Sequence, residues 1–193
     1  MKRSTVATSA AILVLASLTA CSGGGGASVS PTASAAVTPI VPPKPAALVL
    51  PPMPDRTANN ATLAGISTTG TGVRDDVYRY IFTTYTSTHK RAAAMQDAKS
   101  FRSIYLNPPA TTEQAMALSK ESSRAVNCLI SYLKAGYLGS FDDVVDISRK
   151  MEAMHADTRA RMHVYDNYNA LLDGTGEASP DSYAGACDAG GGL

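Results

Sequence analysis

Ser67, Thr69, Thr71 and Asp75 place side-chain oxygens at positions 1, 3, 5 and 9 of one loop, with Gly72 at the turn and a helix-like run behind it. Alternating oxygens around a turn glycine are how a loop wraps a hard dication such as calcium. Few other residues suit chemistry: His89, His155 and His163, and Cys21, Cys128 and Cys187. His155 and His163 read as sharing one helix about two turns apart, too far to hold a common metal. Glu152 before His155 and Asp166 after His163 read as surface pairs. Met151, Met154 and Met162 have the chemistry of a soft-metal site, but Met at helical spacing is read as core filling. No His-Glu-x-x-His, Gly-x-Ser-x-Gly or phosphate-binding glycine motif occurs. The sequence is therefore read as non-catalytic and without a cofactor.

The frame of residues 67–78 resembles EF-hand and dockerin-like calcium loops, which precede a helix in various exported bacterial proteins. The ligand set is degenerate. Ser67, Thr69 and Thr71 are neutral hydroxyls where Asp or Asn belongs, and Tyr78 stands where a bidentate carboxylate would close the shell. The expectation is a loop that keeps the turn and holds no metal. Asp75 and Asp76 then complement the helix N-terminus, where free N–H groups and the macrodipole favour negative charge.

The N-terminus carries Lys2 and Arg3 and then an uncharged apolar run over residues 10–20, too short for a finished membrane span. It ends in Leu18-Thr19-Ala20-Cys21, and here the chain resembles bacterial lipoproteins. The resemblance implies a signal peptide over residues 1–20, cleavage before Cys21, and lipid on the Cys21 sulfur and the new amino group. Several acyl chains, at about 0.8 kcal/mol per buried CH₂, give lasting attachment where one does not. Ser22 in place of Asp after the cysteine implies the periplasmic face of the outer membrane in a bacterium with two membranes.

Residues 21–54 are Gly/Ser-rich and then Pro-rich, with Lys44 the only charge. Such a stretch cannot bury a core and reads as a disordered tether that stiffens toward its C-terminal half. Without Lys2 and Arg3 the basic count is 15 against 16 acidic residues. A nearly neutral chain lacks the basic field that a nucleic acid or an anionic membrane face requires.

Residues 60–174 hold the helical periodicity, and no stretch alternates at period two. One run covers residues 75–87, with Val77, Ile81 and Tyr85 on a face. A second covers residues 89–106, with Thr88 as its N-cap and Pro108-Pro109 beyond its end; whether the two are continuous across Ser87-Thr88 stays open. A third starts at Thr111 or Thr112, where Gln114 has capping-box spacing, and stops near Gly136. The fourth runs from Ser140 through Val144, Ile147, Met151, Met154, Thr158, Met162 and Tyr165 to Gly174, which makes one helix about 50 Å long. Short connections between such elements predict an all-α, up-and-down helical bundle.

With Cys21 lipidated, Cys128 and Cys187 form an even pair in an exported chain and read as a disulfide. It would staple the tail, residues 175–193, onto the third helix and stabilise the fold by about 4 kcal/mol on the chain-entropy model. These readings converge on an envelope lipoprotein whose helical domain binds another envelope protein, with the membrane as its second partner. The alternative is an exported ligand-binding or enzymatic module whose site forms only in three dimensions.

Overall fold

The computed structural model describes residues 48–176 and 183–188. The expected signal peptide, Cys21 and most of the expected tether lie outside the described residues. Among the described residues six helices follow one another: α1 (Arg56–Asn60), α2 (Asp75–Thr84), α3 (Thr88–Leu106), α4 (Thr112–Lys134), α5 (Phe141–His155) and α6 (Arg159–Leu172). Among the described residues there is no strand, so the fold is an all-α bundle.

Helix α3 is the central element and packs against α2, α4, α5 and α6. Its composition explains this position: Ala93, Ala94 and Ala98 are fully buried, and their small side chains let neighbouring helices approach closely. Around it lie Val77 and Ile81 of α2, Leu129 of α4, and Val144, Ile147 and Met151 of α5.

The local signals act through hydrogen bonds. Thr111 Oγ1 accepts from Gln114 N–H, and Gln114 Oε1 accepts from Ala110 N–H, so the capping pair works reciprocally with one residue's offset. At the end of α4, Gly136 takes a φ of 78°, which allows Tyr137 N–H to reach Tyr132 C=O and Gly136 N–H to reach Leu133 C=O. That double closure satisfies carbonyls the helix leaves open.

Four expectations need correction. The long fourth helix is two helices: α5 stops at His155, and Thr158 Oγ1 accepts from Arg161 N–H to start α6. Thr158 was read as a position on the helical stripe, whereas it is a cap, and Met162 beyond it is 47% exposed. Helices α2 and α3 are separate, and Ser87, not Thr88, is the cap, accepting from Lys90 N–H. Ser140 occupies the N-cap position of α5 but makes no side-chain cap bond; Asp143 instead accepts from Gly139 N–H. Finally, the folded unit begins before residue 60. Pro51 is buried with its carbonyl accepting from Arg79, and Asp55 caps the short helix α1 through Ala58 N–H.

Candidate functional site

The oxygens of the 67–75 loop bond to one another and to the loop backbone. Ser67 Oγ donates to Val73 C=O at 2.7 Å, and the Thr69 and Thr71 hydroxyls bond to each other at 2.7 Å. Asp75, 1% exposed, accepts from Thr68 N–H at 2.8 Å and from Thr68 Oγ1 at 2.7 Å. The Asp75 carboxylate thus ties the loop to the first turn of α2. Among the described residues no three His, Cys, Asp or Glu side chains converge on a metal position.

Behind this loop two arginines, Arg74 and Arg161, are each 1% exposed. Arg161, on α6, bonds through every guanidinium hydrogen. Nε donates to Leu63 C=O, Nη1 to Asn60 Oδ1 and Asp157 Oδ1, and Nη2 to the carbonyls of Asn59 and Thr62. One side chain therefore satisfies the carbonyls left open where α1 ends. Arg74 pairs with Asp76 and Asp157, so two guanidiniums face two carboxylates. Burial acts to raise the Asp157 pKa, yet its bonds to Arg74 and Arg161 hold it below the usual carboxylate range. Gly65 lets the chain pass this cluster: a Cβ there would sit 2.8 Å from Arg74 Cδ and 2.9 Å from Asn59 Oδ1. The arrangement is closed and charge-matched, and it fastens residues 59–66 to α6.

Among the described residues, two further ionisable groups are buried without an opposite charge in contact. His155 is fully buried, its Nδ1 bonded to Met151 C=O at 2.7 Å and its Nε2 without a partner. Burial, with the nearby Arg74 charge, pushes it down to about 4, so the ring is neutral. The expected surface pair with Glu152 is thus replaced by a core histidine, and His163 lies on a different helix. Asp97 of α3 is 1% exposed with Oδ2 unpartnered. Burial raises it to about 7, partly offset by the Ser148 hydroxyl, and Glu152 adds to the rise.

The two features singled out in the sequence, the loop and the cysteine pair, meet at one cleft. Cys128 of α4 and Cys187 of the tail are joined by a disulfide, with Cα atoms 4.7 Å apart. The sulfur bridge lines a cleft of about 280 Å³ together with Gly70 and Thr71 of the loop, Gln96 and Lys99 of α3, Tyr132 of α4 and Asp188 of the tail. Gln96 is 4% exposed and uses both ends of its amide. Nε2 donates to Ala186 C=O at 2.8 Å, and Oε1 accepts from Asp188 N–H at 2.9 Å. Arg124 Nη1 also donates to Ala186 C=O, at 3.1 Å, and to Asp188 Oδ1, at 2.7 Å. Lys134 Nζ lies 4.1 Å from the centre of the Tyr183 ring.

Gln96, Arg124 and Lys99 were not legible as site residues. The one signal for Gln96 is that it and Asp97 interrupt the otherwise small and apolar run from Ala92 to Ala98. Comparison of the chain with protein-family models, with characterised proteins and with solved structures returned no match.

Proposed function

We propose that this chain is a membrane-anchored bacterial envelope lipoprotein, held through lipid on Cys21, whose helical domain binds another envelope protein without catalysing a reaction. In a cell with two membranes the Ser22 context, by its resemblance to lipoproteins, favours the periplasmic face of the outer membrane. The anchor rests on the charged start, the short apolar run and the Leu18-Thr19-Ala20-Cys21 motif. No described helix is long and apolar enough to cross a membrane.

The observation that carries the interaction reading is the seated tail. Gln96 and Arg124 grip main-chain atoms of residues 186–188, so this helical surface recognises a peptide segment through backbone contacts. Exposed Tyr137, Phe141 and Met162 add apolar contact area elsewhere on the bundle. The alternative, a small-ligand module, draws on the cleft of about 280 Å³ beside the disulfide, close to the lower end of ligand-pocket sizes.

Two experiments test the proposal. Radiolabelled palmitate should enter the wild-type chain, and Cys21→Ala should shift it from the membrane to the soluble fraction; an unlabelled chain that stays on the membrane overturns the anchor. In-cell crosslinking of the full-length chain should recover one envelope protein in stoichiometric amount. Recovery of the chain alone would favour the small-ligand alternative.

A further inference from the structure

The tail's contacts are those of a ligand in a binding groove. Residues 183–188 form a turn, closed by Ala186 N–H on Tyr183 C=O at 3.2 Å, that leads into a short segment lying on α3 and α4. Three kinds of recognition converge on it. The Gln96 amide bonds to the C=O of 186 and the N–H of 188, the groups a neighbouring strand would otherwise satisfy. Arg124 and Lys99 face the Asp188 carboxylate, with Nη1 at 2.7 Å and Nζ at 3.6 Å. Lys134 lies over the Tyr183 ring. The fourth link is covalent, because Cys187 is joined to Cys128 at the bottom of the same surface. Cys128 is 1% exposed, whereas Cys187 is half-buried on the cleft side, so an incoming thiol reaches the bridge from there.

We propose that the α3–α4 face is a peptide-docking groove that takes a partner's short turn bearing an aromatic residue, a small residue and then a carboxylate, and that the chain's own tail occupies it while the disulfide is closed. The proposal deepens the interaction reading and rests on it. Opening the lock needs a dithiol donor. Its thiolate attacks one sulfur of the bridge, the second donor thiol resolves the mixed disulfide, and two electrons and two protons leave Cys128 and Cys187 as thiols while the donor becomes a disulfide. Until then the tail has the advantage of an intramolecular ligand, whose effective concentration for a short connection is in the millimolar range.

The buried Gln96 is the strongest element of this assignment. A glutamine in a helix core needs all its hydrogen bonds supplied, and here the tail backbone supplies one at each end of the amide. Nothing in the tail's side chains is required for those two bonds. A partner peptide of different sequence can therefore replace the tail there, with the carboxylate at Arg124 setting its register.

The test uses the full-length chain carrying Cys187→Ser and Asp188→Ala, which weakens the resident tail and leaves every groove side chain in place. A fluorescein-labelled peptide of sequence Tyr-Ala-Gly-Ala-Ser-Asp, followed by anisotropy, should bind it saturably and at least tenfold more tightly than it binds the oxidised wild type. Adding Gln96→Ala or Arg124→Ala should weaken that binding about tenfold or more, with helical circular dichroism unchanged. A double variant that keeps its helical spectrum and leaves the anisotropy flat overturns the groove. In the wild type, a dithiol reductant should speed hydrogen exchange at the Asp188 amide; unchanged protection overturns the lock. If crosslinking in cells still captures an envelope protein from the Gln96→Ala, Arg124→Ala chain, the groove assignment fails while the interaction reading stands.

Discussion

Two parts of this bundle bury ionisable side chains and handle them in opposite ways. At the junction of α1, the 67–75 loop and α6, the donors of Arg74 and Arg161 are met by Asp76, Asp157 and a set of open carbonyls. In the core around α3 and α5, Asp97 and His155 have no opposite charge in contact among the described residues, and burial shifts each toward its neutral form. The first arrangement joins distant segments and is costly to break from either side. The second tolerates neutral replacement but makes stability depend on pH. A buried charge with every partner present holds parts together; a buried titratable group without one records the solvent's proton activity.

The sharpest way to break this contrast is Arg161→Met. It keeps the volume but leaves the carbonyls of residues 59, 62 and 63 without their donor and Asp157 with Arg74 alone. Removing one partner of a buried pair costs about 3–5 kcal/mol, and urea unfolding should show a loss of that order. A loss within experimental error would mean the junction contributes nothing to the fold.

The next effect is the pH dependence, and its sign differs for the two neutral groups. Asp97 sits at about 7 in the folded chain against an ordinary 3.8. Between those values the folded state holds the extra proton, so its contribution is full below about pH 4 and is lost as pH rises toward 7. His155 sits at about 4 against 6.5, so the unfolded state holds the extra proton and stability rises from pH 4 to 6.5. Each group acts at about 1.4 kcal/mol per pH unit, and the two slopes oppose one another. Asp157 and Asp143, both held low, lose their contributions as pH falls below about 4, outside this window. The wild-type chain should therefore show nearly constant stability from pH 4 to 6.5. Asp97→Asn should gain about 3 kcal/mol across that range and His155→Phe should lose about 3 kcal/mol. A flat profile in either variant would show that the group it retains keeps its ordinary pKa.

The contrast also marks where sequence reading stops. The all-α class and helices α3 and α4 were legible, because Thr111 with Gln114 and Pro108-Pro109 are local signals whose effect does not depend on the rest of the chain. The cysteine pair was legible by count. The Arg161 junction was not, since four of its five side-chain bonds run to residues far away in sequence, three of them to main-chain carbonyls that carry no side-chain signal. Arg161 reads as one more polar residue between Thr158 and Met162. Helix α1 was missed for the same reason: five residues have no periodicity to detect, and Arg161 completes the helix end from outside. His155 was read as one half of a surface pair with Glu152, whereas it follows Met151 by one turn on the face that α5 buries.

Two smaller effects sharpen the junction's side of the comparison. Gly65→Ala should cost about 2 kcal/mol, because φ of 65° disfavours a side chain and the new methyl would press on Arg74, whose contacts fix its position. The smallest effect is at the cap that separates α5 from α6. Thr158 Oγ1 is 3.2 Å from Arg161 N, and its removal by Thr158→Ala should cost about 1 kcal/mol. The split of the two helices does not depend on that bond alone. Asp157, immediately before the cap, pairs with Arg74 and Arg161, and those pairs hold the backbone out of the helical path. Thr158→Ala should therefore lower the unfolding midpoint slightly while leaving helical circular dichroism unchanged. An increase in helical signal would mean that α5 and α6 had fused into the single long helix that periodicity suggests. The cap, rather than the ion pairs, would then be what divides them.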